Sequence, residues 1–309
     1  MVAFPKSELR AAAGGRCEPE GAESRETEAE CGDAKEEKRG QTIVWRNVVL
    51  MALLHLAAVY ALQLIPRAHP FTWIWSYVCF LITGLGITAG AHRLWSHRSY
   101  KAKFPLRMFL AAANSMAFQV YALFKGILGT HNVKYSHTFD ASPLASNELY
   151  IWDNPLLFKL LYLCAVLFRY YKLSVVMMCF VVPTLVPWYF WDESIWNSYF
   201  LPGILRYTIC LNCTWLVNSA AHIYGNRPYD KYINPRENCL VTFGAMGEGF
   251  HNFHHTFPFD YSASEFGLRL NPTTCFIDFM CLLGLASNRK KATPEMIKSR
   301  KLRTGDGSA

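Results

Sequence analysis

The chain has 309 residues, 52% of them hydrophobic and 15% aromatic, with only 17% charged, against about 25% charged in an average soluble domain. Much of the charge sits in residues 18–39, EPEGAESRETEAECGDAKEEKR, and residues 289–304, RKKATPEMIKSRKLRT. What lies between is too apolar for an ordinary water-soluble enzyme, and the composition also excludes a wholly disordered chain, collagen or a disulfide scaffold, so the leading class is a multi-pass membrane protein.

The net charge of +8 comes from cations beside apolar runs. That arrangement suits a membrane surface and not a nucleic-acid groove, so no nucleic-acid partner is expected. Of the ten cysteines, Cys79, Cys179, Cys210 and Cys213 lie inside apolar runs, where cysteine acts as a small hydrophobe.

In chain order, residues 1–41 are acidic and poor in large apolar residues, which predicts a disordered tail. Two apolar runs follow, Val48–Ile65 and Phe71–Ala89, joined by a break at Pro66–Pro70. Each is near the roughly 20 residues that cross a bilayer, so they predict a helical hairpin. Trp73, Trp75 and Tyr77 suit an interfacial belt. Residues 92–107, HRLWSHRSYKAKFPLR, are strongly basic. A second pair of runs, Leu173–Trp191 and Phe200–Val217, is joined by an acidic link without Lys or Arg. The positive-inside rule then places residues 92–107 and both termini in the cytosol. Leu106–Leu128 and Pro155–Tyr171 carry charges and are expected as interfacial or buried helices, because charge inside a bilayer is costly. Thr274–Ala286 is short for a span and reads as an amphipathic surface helix. Residues 42–288 form the expected membrane domain, and 289–309 a basic tail.

Eight of the ten histidines fall on segments assigned to the cytosolic side. His251, His254 and His255 form HNFHH, and positions i, i+3 and i+4 share a helix face. Asn218 and His222 form NSAAH at the cytosolic end of the last span, again i and i+4. His92 and His97 are five apart in HRLWSH, a spacing that works where a helix ends and the chain turns. His131 and His137 complete the group. Imidazole-rich coordination suits Fe, Zn, Cu or Ni, and zinc has no redox chemistry. Eight histidines exceed what one ion can use. Two redox irons beside a membrane suit O2 activation and attack on a C–H bond of a lipid-partitioning substrate. Glu248, one turn before His251, is a candidate supporting residue.

Four longer stretches carry a family resemblance. They are GITAGAHRLWSHRSYKA (86–102), PTLVPWYFW (183–191), WLVNSAAHIYGNRPYDK (215–231) and GEGFHNFHHTFPFDYSASE (247–265). With them the chain resembles the animal fatty acyl-CoA desaturases of the stearoyl-CoA, delta-9 type. The resemblance implies an all-α membrane protein of mushroom-like shape, four transmembrane helices under a cytosolic histidine-rich cap. It implies a di-iron centre in the endoplasmic reticulum membrane that inserts a cis double bond into a saturated fatty acyl-CoA. O2 would be the oxidant, and cytochrome b5 and its reductase the electron source. Carried over by residue, His92, His97, His222, His251, His254 and His255 would be iron ligands, and Asn218 would hold iron through water.

Residues 120–167 depart from this pattern. The family places a box of the form HRxHHKxSETDADP here, whereas this chain reads VYALFKGILGTHNVKYSHTFDASP. His131 matches the first histidine of the box, the adjacent pair is missing, and His137 is new. Two readings stay open. One is a desaturase with an unusual middle box, in which His131 joins the ligands; the other is a catalytically impaired homologue. The NxxxH and HNFHHTFPFDYSASE context argues against a third, a lipid hydroxylase.

Overall fold

The computed structural model describes residues 43–118, 171–267 and 271–308. The expected tail at 1–41 and the segment 120–167, with His131 and His137, lie outside the described residues.

Among the described residues, four helices are long and apolar enough to cross a membrane: α1 (Trp45–Arg67), α2 (Pro70–Ser96), α4 (Leu173–Trp191) and α5 (Ile195–Ile223). Between α2 and α4 stands α3 (Phe104–Ser115). The later helices are α6 (Cys239–Gly244), α7 (His251–Thr256), α8 (Pro272–Leu282) and α9 (Pro294–Thr304). The strands described are β1 (Lys101–Ala102) and β2 (Ala286–Ser287), paired antiparallel. The protein is therefore mostly helical, as composition and pattern predict.

The spans read differently on their two sides. Val48, Leu53, Leu56, Val59 and Leu62 of α1 are exposed, while Ala58, Ala61 and Leu64 are buried. Small residues let a neighbouring helix approach closely, which is how membrane helices pack without a hydrophobic drive. Polar pairs add to this inside the bundle. His55 on α1 meets Asn212 on α5, with the Asn212 amide nitrogen 3.0 Å from Nε2. At the end away from the clustered histidines, Glu193 joins the two hairpins. Its carboxylate accepts from the backbone N–H of His69 at 2.7 Å, the Thr72 hydroxyl at 2.8 Å and the Asn197 amide at 2.9 Å.

Two spans outlast their apolar runs. The run ends at Ala89, but α2 continues to Ser96 as a π-helical stretch, Gly86–Ser96, that carries the polar residues HRLWS. Likewise α5 extends past Val217 to Ile223. Hydropathy finds where lipid contact ends, not where backbone pairing ends. Further π-helical stretches occupy Met177–Val181 and Tyr199–Leu205, the second around Pro202.

One buried cation sits within these spans. Arg206 is 2% exposed. Its guanidinium donates to the Pro202 carbonyl, the Thr83 hydroxyl, the Met116 carbonyl and the Cys179 carbonyl. Charge inside a membrane bundle is expensive unless fully partnered. Carbonyls near π-helical turns and the C-terminal end of α3 supply that partnering with no carboxylate. The described part of Leu106–Leu128 is buried as expected: Leu106, Leu110, Ala111 and Ala113 face inward. Gly86 permits this closeness, since a Cβ there would lie 2.3 Å from the Asn114 backbone nitrogen.

The cap packs onto α2 and α3 through Ala89, Leu94, Tyr100, Leu106, Leu110, Tyr261, Ile277 and Ala286. A second cluster of Tyr229, Phe253, Phe257 and Ala292 ties α7 to the C-terminal segment. Helix α9 is fastened there by the ion pairs Arg300–Asp230 and Lys301–Glu265.

Candidate metal centre

The π-helical turn ending α2 sets the first two histidines. The His97 backbone N–H donates to the His92 carbonyl at 3.0 Å, an i to i+5 bond. Such a bond brings residues five apart onto one side, so the spacing is met inside the helix end itself. The two rings lie 4.8 Å apart.

Helix α7 carries the next three. It is clamped by residues that are not themselves candidate ligands. The Asn252 side chain accepts from the backbone N–H groups of Tyr229 and Asp230, and donates to the carbonyls of Asp230 and Pro235, all at 2.9–3.1 Å. The Glu237 carboxylate accepts the Phe253 N–H at 2.7 Å. With this helix fixed, His254 faces one way and His251 and His255 another.

Two triads result. His92, His97 and His254 form one, and His222, His251 and His255 the other; within each, the candidate ligand atoms lie within 4.8 Å of one another. The triads are neighbours, since the His254 and His255 rings are 5.5 Å apart. Asn218 stands apart from both. Helix α5 is interrupted at Ser219 (φ −127°, ψ −72°), between Asn218 and His222. The Asn218 amide donates to the Thr214 carbonyl at 3.3 Å, and its side chain lines the same cavity as His92 and His251.

These residues fit metal ions. The Nε2 atoms of His92 and His254 are 2.9 Å apart, and those of His222 and His251 are 3.0 Å apart. Two nitrogens bound at right angles to one ion by bonds of about 2.1 Å stand about 3 Å apart. Protons are a poor substitute as the bridge. Burial and the neighbouring imidazoles lower the proton affinity of His97 to about 4 and of His251 to about 3, and that of His254 well below the ordinary value. The Nδ1 atoms of His251 and His254 are buried without a hydrogen-bond partner. Neutral imidazoles with converging lone pairs are what a cation requires.

A carboxylate orients one candidate ligand. Glu248 reaches His92 Nδ1 at 2.8 Å and the Arg93 guanidinium at 2.8 Å. Burial alone would raise its pKa, but Arg93 and His92 beside it outweigh burial and hold the carboxyl well below the usual range. Arg93 is 1% exposed and also donates to the carbonyls of Tyr261 and Ser262 and to the Thr274 hydroxyl. The sequence reading flags Glu248 but misses Arg93 and Asn252. Arg93 is one of several cations in the basic segment 92–107 and is marked only by standing next to His92; nothing local marks Asn252.

Beside the triads opens a cavity of about 320 Å³. Phe80, Gly84, Ile87, Val217 and Met246 line it, together with Cys210 and Cys213, which are free thiols spaced C-x-x-C on α5. An apolar cavity beside two imidazole triads, lined from helices long enough to cross a membrane, defines a class: a multi-pass membrane protein with two candidate metal sites next to an apolar cavity.

Comparison with known proteins is more specific. A "Stearoyl-CoA desaturase 5" of Bos taurus is 64% identical over 291 residues, spanning 87% of this chain and 86% of that protein. One of Homo sapiens with the same name is 61% identical, spanning 87% of each. An "Acyl-CoA desaturase" of Cyprinus carpio is 56% identical, spanning 86% of this chain and 88% of its own. No protein-family profile matches the chain. The chain belongs to the acyl-CoA desaturases, a family of membrane oxidoreductases.

Proposed function

We propose that this chain is an O2-dependent desaturase that inserts a cis double bond, at the delta-9 position, into a saturated fatty acyl-CoA. The observation that carries this reading is the pair of histidine triads at the mouth of the apolar cavity. His92, His97 and His254 would hold one iron, and His222, His251 and His255 the other. His131 would add a ligand from outside the described residues, and Asn218 would act through water. Iron in these sites, with electrons from cytochrome b5 and its reductase, would supply the one-electron chemistry that takes a hydrogen from each of two adjacent methylenes. The sum is one O2, two electrons and two protons in, two waters out.

The chain's own residues do the rest. Apolar walls at Phe80, Ile87, Val217 and Met246 exclude water and draw in an acyl chain. Holding two chosen methylenes at the triads turns a search among equivalent carbons into a positioned encounter. Glu248, anchored by Arg93, fixes the His92 ring so that Nε2 faces His254. The basic segments 92–107 and 289–304 favour a cytosolic side for the triads and both termini, and in this reading the membrane is that of the endoplasmic reticulum.

A second reading, a catalytically impaired homologue, is favoured by the missing adjacent histidine pair in residues 120–167. Iron analysis of the purified full-length chain separates the two. A desaturase binds two irons per chain and lets a desaturase-deficient yeast grow without oleate. One iron or none, with no growth despite membrane-localised expression, would establish the second reading.

A further inference from the structure

Helix α6 combines features that belong to neither the spans nor the cap. Its sequence, CLVTFG, carries no charge. Val241 and Thr242 are buried, yet Leu240 is 79% exposed and Phe243 80% exposed. Two large apolar side chains held outward on one short helix mark an interaction surface.

The position of α6 says what touches it. At its start, the Asn238 side chain donates to the Tyr224 carbonyl at 3.1 Å, just past the end of α5. At its end, a Cβ on Gly244 would lie 3.7 Å from Cys213 Sγ. Helix α6 therefore runs inward along the last three turns of α5. That span has 29 residues, or about 43 Å at about 1.5 Å each, so it exceeds a hydrocarbon core of about 30 Å. Its last turns, and α6 beside them, lie at the boundary between headgroups and acyl chains. Trp215, Leu216 and Ile223 of these turns are themselves exposed, so the apolar belt of α5 continues onto α6. A tryptophan at that depth is the usual interfacial anchor.

We infer that α6 lies in the bilayer leaflet on the histidine side, with Leu240 and Phe243 among phospholipid acyl chains, and forms a wall one helix thick between lipid and the histidine cavity. The inner side of that wall is Gly244, Ala245 and Met246, which line the cavity with His92 and His251. An amphipathic segment in this position gains from each buried apolar side chain and needs no backbone to cross the core. The inference concerns where the cap touches the membrane and holds whether or not the triads are catalytically active.

The test is photocrosslinking of the full-length chain in native membranes. p-Benzoylphenylalanine replaces Leu240 or Phe243 in separate variants. Val59 on the lipid side of α1 is the lipid reference, and Tyr232, 74% exposed on the cap, is the water reference. Phospholipid adducts at 240 and 243 should match the yield at 59 and exceed that at 232 severalfold. Labelling of the unaltered chain with a lipid-dissolved diazirine should mark the peptide over 239–244, which covers the case of a variant that misfolds. Crosslinks to a peptide of this or another protein in place of lipid, or yields no higher than at Tyr232, would overturn the inference.

Discussion

Glu248 shows how much of the site rests on residues that are not candidate ligands. Its two oxygens serve two partners, the His92 ring and the Arg93 guanidinium, in a place where only 7% of the residue is exposed. Replacing one member of a buried ion pair costs about 3–5 kcal/mol, because the other charge is left without a partner. Loss of an orienting carboxylate behind a ligating histidine typically costs about 10–100-fold in metal affinity. Glu248→Gln keeps the shape and removes the charge, so it is expected to lower both iron retained on purification and the unfolding temperature. Metal analysis and thermal unfolding of the same preparation check this, and unchanged iron content would remove Glu248 from the supporting role. Asn252 stands behind α7 in a comparable way, with all four of its hydrogen-bonding positions used. Neither role could be derived from spacing alone. Glu248 was visible as a carboxylate one turn from His251, but its actual partner is His92, 156 positions earlier in the chain.

At the scale of elements, the histidines were legible and their grouping was not. The HNFHH spacing correctly puts three imidazoles on one short helix, but that helix divides them between two triads, because two different elements, the end of α2 and the end of α5, approach it from either side. The i and i+5 spacing of HRLWSH does fall at a helix end, and what spacing alone does not show is that this end is a π-helical turn closed by its own hydrogen bond. The link holding α7 to the rest of the cap also titrates. Burial raises the Glu237 carboxyl to about 7, against the lowering effect of the Phe253 and Asn252 N–H groups. A carboxyl whose pKa is raised by folding binds its proton more tightly in the folded state. Its contribution to stability is full below the unfolded value near 4.5 and is lost as pH rises through about 7. The buried histidines titrate in the opposite sense, since their folded values are lowered. Comparison with Glu237→Gln cancels them: the variant should gain in unfolding temperature relative to the unaltered chain between pH 5 and pH 7.5, because linkage to one proton costs the unaltered chain at most about 1.4 kcal/mol per pH unit. A difference that stays constant across that range would show that Glu237 does not titrate there.

At the scale of the whole molecule, the spans were the most legible part, because lipid imposes a length and a composition that water does not. The cap is harder to read, since its short helices are joined by buried polar residues such as Arg93 and Asn252, each partnered far along the chain. The buried Arg206 is not legible because an apolar run with one cation still reads as a span, and its partners from elsewhere are one hydroxyl and two carbonyls on three other segments. Orientation is where these scales meet. The link at 192–194 holds Asp192 and Glu193 and no cation, whereas Arg98, Lys101, Lys103 and Arg107 cluster after α2. With the four spans among the described residues, the chain would return to the side from which it started, and the triads, the basic cluster and the C-terminal helix α9 would share one face. An N-glycosylation acceptor on a flexible insert in the 192–194 link should be modified when the chain is made in endoplasmic reticulum membranes, and the same acceptor fused after Ala309 should not. Modification of the fusion and not of the link would reverse the orientation. It would also put the triads on the side away from cytosolic electron donors, which is incompatible with the proposed reaction.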